Sequence, residues 1–199
     1  MRDLLSSPFV QPVSEKLRTD LESMKASELI HLYAPANLEG LLAIGQLEAA
    51  CLDAGIKYSR RFYLPKHHRP RDELLEIPSP STGVNVVIAS EEETWQVGDL
   101  SDVDGVQFVP LATSVQMGNQ HRIHHGSLDC VIQCAAIAAL LAPNGRRVRK
   151  LRPYLSLGLW LRGALDTTLD PIHSAVLLHL TAEGSVRIVP LPAVCLFYT

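Results

Sequence analysis

The sequence predicts an α/β domain with three layers, in which a mainly parallel sheet is flanked by helices on both faces. Residues 28–64 carry the first observation, because an apolar run, a turn, a helix-spaced segment and a second apolar run follow one another there. This is the order of a βαβ unit. The alternation continues along the chain, and 199 residues with 47% hydrophobic content can bury a full core. We therefore expect one domain over residues 1–199.

Each predicted strand of the sheet is a short apolar run bounded by turn residues. The four strands are expected at residues 29–34, 56–64, 84–89 and 106–111. Between the first two, residues 41–54 carry apolar side chains at helical spacing, and Gly55 is suited to end that helix. A right-handed βαβ unit places the turn after its first strand at the carboxyl edge of the sheet, where ligands usually bind.

Further helices are expected before the first strand and in the second half of the chain. Their ranges are 13–24, 127–141, 146–163 and 170–184. Pro153 is expected to kink or split the third of these, and Asp170 followed by Pro171 is a typical start for the fourth. Residues 65–82 and 118–126 are predicted as loops, and residues 185–189 as a last strand.

Composition argues against several kinds of protein. No apolar run reaches the roughly 18 residues that span a bilayer, and the N-terminus lacks the apolar region of a signal peptide. A formal net charge of −3 gives no overall attraction to nucleic acid. All four cysteines lie in apolar surroundings and lack the spacing of a zinc knuckle; they are Cys51, Cys130, Cys134 and Cys195. They are therefore expected to be buried thiols of a cytoplasmic protein.

The turn after the first strand contains the candidate functional motif. Asn37 and Glu39 stand two residues apart, directly before Gly40. Oxygen-bearing side chains at this spacing in a tight turn can hold a hard cation together. The other interpretation is local, because Asn is common in turns and an acidic residue suits the first turn of a helix. The sequence favours the local interpretation.

A dense basic segment follows the apolar helix at 127–141. It contains Arg146, Arg147, Arg149, Lys150 and Arg152. Such a segment can contact phosphate groups or an acidic partner, or it can be a solvated helix face, and the sequence leaves both open. A second cluster of basic residues and histidines between positions 60 and 71 is expected to be a solvated surface.

The turn resembles the first motif of the DHH phosphoesterase superfamily, to which RecJ nucleases and their archaeal relatives belong. In active members a strand ends in His-x-Asp-x-Asp-Gly, and the His and Asp residues hold manganese. On that pattern Pro35 replaces the His, Asn37 and Glu39 replace the two Asp residues, and Gly40 is kept. The resemblance therefore implies a preserved scaffold with an eroded metal site, in which Asn37, Glu39 and Gly40 are vestigial motif positions.

The signature Asp-His-His triplet of that superfamily is missing. The two His-His pairs, at 67–68 and at 124–125, do not follow an Asp, and the second pair is expected to be solvated in its loop. The resemblance covers residues 29–189. It implies a DHH-like domain without the second, substrate-binding domain of the active enzymes.

By this resemblance the protein is expected to be a catalytically inactive RecJ-like or Cdc-forty-five-like scaffold of the archaeal replicative helicase complex. GINS is the expected partner, with the MCM helicase and weakly bound single-stranded DNA as further candidates. The expected location is the cytoplasm, and neither a cofactor nor a membrane contact is expected.

The alternative function is a manganese-dependent phosphoesterase or exonuclease acting on single-stranded nucleic acid. Its divergent metal set would be His124, His125, Asn37 and Glu39. Two-metal hydrolysis needs several carboxylates to hold ions roughly 3.5–4 Å apart, and this set offers one. The scaffold interpretation therefore leads.

Overall fold

A four-stranded parallel sheet forms the centre of the structure. The computed structural model describes residues 4–70, 75–89, 104–118, 122–161 and 170–187. Its strands β1 (Leu29–Pro35), β2 (Lys57–Tyr63), β3 (Val84–Ile88) and β4 (Val106–Phe108) lie in the order β2-β1-β3-β4. All three pairings are parallel. The predicted α/β class, with a parallel sheet flanked by helices, is confirmed.

Six α-helices occur in the described residues. They are α1 (Ser14–Lys25), α2 (Leu38–Ala54), α3 (Cys130–Leu141), α4 (Arg146–Leu151), α5 (Leu157–Leu161) and α6 (Pro171–Glu183). Pro153 lies in the 3-10 helix Arg152–Ser156 between α4 and α5, so the predicted split is confirmed. None of these helices is long and apolar enough to cross a membrane.

Capping residues set the ends of the helices around the core. The N-cap of α2 is Asn37, and Gly55 ends that helix with a φ of +70°. α3 begins later than predicted because Asp129 caps it, with Oδ1 accepting the N–H of Ile132 at 2.7 Å. α6 follows Asp170 and ends at Gly184, as predicted.

The main core lies between one face of the sheet and the layer formed by α1, α2 and α3. The strands contribute fully buried residues to it, such as Ile30 and Leu32 of β1. Ten of the twelve residues of α3 are buried, because this helix packs along α2 and also contacts α1. The other face of the sheet contacts the connection after β2, where His31 Nε2 lies 2.9 Å from the carbonyl oxygen of Thr82.

The prediction of a loop over residues 118–126 is wrong for residues 122–126, whereas Gly118 lies in a turn and residues 119–121 lie outside the described residues. Strand β6 (Arg122–Leu128) pairs antiparallel with β5 (Leu111–Met117) in a separate two-stranded ribbon. β6 lacks the apolar alternation that marks a strand, since only Leu128 is buried in it. Gly126 lies within β6, and glycine suits this position because a Cβ there would lie 2.5 Å from Cγ1 of Ile172 in α6.

Two further boundaries differ from the prediction. β4 ends at Phe108, and Leu111 instead begins β5. The predicted last strand is not present at residues 185–187, and its positions 188 and 189 lie outside the described residues.

Candidate functional site

The turn between β1 and α2 lies at the carboxyl edge of the sheet, as predicted. Asn37 Oδ1 accepts a hydrogen bond from the N–H of Gly40 at 2.8 Å, which satisfies one of the first free donors of α2. Glu39 lies in the first turn of α2, where its negative charge interacts favourably with the helix dipole. Asn37 thus caps α2 and Glu39 lies in its first turn, which are the positions that the local interpretation gives them.

Position 40 requires glycine because the backbone there lies very close to Pro35. A Cβ at position 40 would lie 2.2 Å from the carbonyl oxygen of Pro35 and 2.9 Å from two carbons of its ring. Pro35 is itself buried and paired with Tyr63 in the sheet. The glycine of the motif therefore has a packing role, and the residue in the position of the motif histidine fills space beneath the helix.

The metal set of the alternative function is not assembled in the parts of the chain that the structure describes. There, no three His, Cys, Asp or Glu side chains come together to hold an ion. His124 and His125 are consecutive residues of β6, so their side chains point to opposite faces of the ribbon. They were expected in a solvated loop, and their place in a strand is a correction to that prediction.

Three cysteines are buried, as predicted. Cys130 donates its S–H to the carbonyl oxygen of Ala89 at 3.0 Å, just after β3. Burial, with a smaller effect from Glu48, raises the pKa of Cys51 to about 11. Burial, followed by the nearby Asp129 and Glu39 carboxylates, raises the pKa of Cys134 well above its usual value. The thiols of Cys51 and Cys134 are therefore protonated at neutral pH, and Cys195 lies outside the described residues.

Four of the five basic residues of the predicted contact segment are exposed on α4. We call Arg146, Arg147, Arg149 and Lys150 the α4 basic face. Val148 of the same helix is 2% exposed and packs into a small cluster with alanines of α2 and α3. A six-residue helix is thus held to the core by its apolar side while its cations point into solvent.

Asp53 at the end of α2 fixes the position of α4. The Arg147 guanidinium donates to Asp53 Oδ1 at 2.9 Å, and the backbone N–H groups of Arg147 and Val148 donate to Oδ2 at 2.8 and 3.1 Å. Burial acts to raise the pKa of Asp53, but these hydrogen bonds outweigh it and the pKa is lowered. The carboxylate is therefore charged at neutral pH and caps the start of α4.

Arg152 lies apart from the α4 basic face. Its side chain is 3% exposed, and it forms a two-point ion pair with Glu183 of α6, with distances of 2.7 Å from Nη2 to Oε1 and 3.0 Å from Nε to Oε2. Burial acts to raise the pKa of Glu183, but Arg152 outweighs it and the pKa is lowered. The pair lines a cleft of about 440 Å³ that also contains Asn144, Arg149 and Ser185.

The structure places a second basic group beside α4. β2 is an edge strand on which Lys57, Arg60 and Arg61 are exposed, and Arg60 Nη1 lies 3.1 Å from both carboxylate oxygens of Glu48 on α2. Burial and Glu48 raise the pKa of Tyr58, while Arg60 and Arg147 oppose the rise. Because Arg60 pairs with Glu48 and Arg147 pairs with Asp53, both basic groups contact α2.

Comparison of the chain with family models, with curated proteins and with solved structures finds no match. The likeness to the DHH superfamily therefore rests on the sequence pattern around residues 35–41 and stays a prediction.

Proposed function

We propose that the protein is a non-catalytic RecJ-like scaffold of an archaeal replication complex, which binds an acidic partner protein through the α4 basic face. The expected partner is GINS, with the MCM helicase and weakly bound single-stranded DNA as further candidates. The proposed location is the cytoplasm, and no cofactor takes part. The observation that carries the proposal is the α4 basic face, because it presents several solvated cations on an element fixed to the core.

Rigidity supports a docking role for α4. Asp53 receives two backbone donors and one guanidinium from the start of this helix, and Val148 is buried beneath it. A surface that is already ordered loses little conformational entropy when a partner binds. Charge of one sign on such a surface accelerates encounter with an opposite charge and fixes the orientation of the complex.

The turn after β1 supports the non-catalytic part of the proposal. The Asn37 oxygen is engaged by the N–H of Gly40, and Pro35 packs against that glycine. Positions that would hold manganese in an active DHH enzyme thus contribute to the start of α2. The turn therefore has a structural role that does not depend on metal binding or catalysis.

Reversing charge on α4 is expected to weaken binding to purified GINS by at least about tenfold at modest salt, with a smaller loss at high salt. The variant is Arg149→Glu with Lys150→Glu, and titration calorimetry at two salt concentrations measures the change. Arg147 is left intact because a carboxylate there would face Asp53 and disturb the fold.

The matched control is Arg18→Glu with Lys25→Glu, which changes the net charge equally on the exposed side of α1. We expect this control to bind like the wild type. An equal loss in both variants would mean that overall charge matters and the α4 basic face does not. If wild-type protein fails to associate with either GINS or MCM at modest salt, the scaffold proposal should be dropped.

Incubation with manganese or magnesium is expected to give no turnover of single-stranded DNA above background. The physical reason is that Asn37 and Glu39 supply one carboxylate where two-metal hydrolysis needs several. An active RecJ nuclease serves as the positive control in the same assay. Manganese-dependent turnover that Glu39→Ala abolishes would instead support the alternative phosphoesterase function.

A further inference from the structure

We propose that the outer edge of β2 binds an extended acidic segment of the partner protein, which joins the sheet as an additional strand. This inference rests on the proposed function for the kind of partner, and it adds the mode of binding and a second set of contact residues. It follows from the backbone direction, the side chains and the charge of β2.

The backbone of β2 offers hydrogen-bonding groups on its outer side. In the described residues β2 is the first strand in the sheet order, and it pairs with β1 alone. The carbonyl oxygen of Tyr63 accepts the N–H of Ala36 at 2.8 Å, so Tyr63 directs its backbone toward β1. Because this direction alternates along a strand, the N–H and C=O groups of Tyr58, Arg60 and Phe62 point outward.

The side chains of β2 define what an added strand should carry. On one face Phe62 is 42% exposed, and Leu64 just beyond the strand is 58% exposed. On the other face Lys57 and Arg61 are exposed. Residues directly opposite each other on neighbouring strands interact most strongly. A segment that alternates acidic and apolar residues therefore fits, with its carboxylates opposite the two cations and an apolar residue opposite Phe62.

Charge makes a second copy of this chain a poor occupant. Two β2 edges placed side by side would bring Lys57 and Arg61 of one copy close to the same cations of the other, while Arg60 is paired with Glu48. Basic residues on an edge strand prevent pairing of this kind in many proteins. The same residues attract an acidic strand, so the edge excludes self-association and selects its partner by charge.

Location on the molecule supports one partner for both basic groups. Arg60 of β2 pairs with Glu48, and Arg147 of α4 pairs with Asp53, so both basic groups contact the same helix α2 at positions five residues apart. An acidic segment along β2 would therefore run close to the α4 basic face. A partner that contacts both would gain from two connected sites, since the second contact is then intramolecular.

The test measures amide hydrogen exchange in the full chain by NMR, with a synthetic peptide of alternating Glu and Val as the probe. We expect the amides of Tyr58, Arg60 and Phe62 to exchange at least about tenfold more slowly with millimolar peptide. The amides of Ser59 and Arg61 should change little, because they already bond to β1. An alternating Lys and Val peptide should give no protection.

A second control separates strand addition from simple charge attraction. The same Glu and Val peptide with every backbone amide N-methylated keeps the side chains, but it has no N–H group to donate to β2 and its methyl groups prevent close approach on either edge. It should therefore not protect the three outward amides. Equal protection by both peptides, or no protection of these amides by the first, would overturn the inference. Lys57→Glu with Arg61→Glu should reverse the preference toward the Lys and Val peptide.

The experiments distinguish a failure of strand addition from a failure of the proposed function. Association with GINS without protection of the outward amides by the Glu and Val peptide would overturn strand addition and leave the scaffold role intact. Protection by that peptide without association with GINS or MCM would support strand addition and remove the replication partner.

Discussion

Alanine at position 40 is expected to lower the free energy of unfolding by about 2–3 kcal/mol, because the new Cβ overpacks a site that cannot relax. It would lie 2.2 Å from the Pro35 carbonyl oxygen and 2.9 Å from its ring. Neither group is a flexible side chain, and β1 is paired on both sides in the sheet. The strain would also weaken the hydrogen bond from Gly40 to Asn37.

Gly45 is the matched control on the same helix. Nothing lies within 4 Å of a Cβ built at this position. Gly45→Ala is therefore expected to raise the free energy of unfolding by about 0.5–1 kcal/mol, because alanine has the better helix propensity. Urea unfolding followed by circular dichroism measures both variants. A change of equal sign and size in the free energy of unfolding of both variants would show that the contact with Pro35 does not explain why position 40 is glycine.

Removing the Arg152 side chain is expected to cost about 3–5 kcal/mol in the free energy of unfolding, because the buried Glu183 carboxylate loses its two-point partner. It keeps the longer contacts with Ser185 at 3.3 Å and His179 at 3.6 Å. The side chains of Arg152 and Glu183 are only 3% and 5% exposed. The variant Arg152→Met keeps most of the apolar stem. Adding Glu183→Leu should recover most of the loss, since the charge itself is then gone.

The pH dependence of this variant has a defined sign. In the wild type the pKa of Glu183 is lowered, so its stabilisation is present above the unfolded pKa of about 4.3 and is lost as pH falls through the folded value. In Arg152→Met the burial that acts to raise the pKa of Glu183 is opposed only by His179 and Ser185 among the groups that lower it in the wild type. We therefore expect a higher pKa than in the wild type, so that protonation costs the folded variant less. The difference in stability between wild type and variant should therefore shrink as pH falls.

A constant difference between these two proteins from neutral to acidic pH would contradict the ion-pair explanation. Arg147→Met provides a comparison, because Arg147 is 58% exposed and Asp53 keeps two backbone donors after the change. We expect it to destabilise the protein much less than Arg152→Met.

Elements whose signals are local were predictable from the sequence. Asp170, Pro171 and Gly184 mark the two ends of α6 within the chain itself, and the structure places caps at both ends. The alternation of apolar runs over residues 28–64 likewise gave the βαβ unit. The ribbon was not predictable, because β6 is stabilised by pairing with β5 and by the contact of Gly126 with Ile172 of α6.

In the candidate site, too, the features with local sequence signals were predictable, and those that depend on distant contacts were not. The exposed cations of α4 were visible as a basic segment, and so was the turn role of Asn37. Arg152 was grouped with them because its partner, Glu183, comes 31 positions later and no local pattern connects the two. The sequence predicts a solvated surface for the cluster that contains Arg60 and Arg61, and it gives no signal for Lys57. The proximity of these residues to α4 depends on how α2 packs between the two elements.

The packing of α3 against α2 has a consequence for synthesis on the ribosome. α2 ends at Ala54, whereas α3 ends only at Leu141. At about 5–20 residues per second, the intervening chain takes on the order of 5–20 s to be made. Throughout that time Ala49 and Ala50 of α2 lack the α3 residue Ala138 with which they cluster in the folded protein. The translation rate therefore sets how long the nascent chain exposes this apolar surface to chaperones and to aggregation.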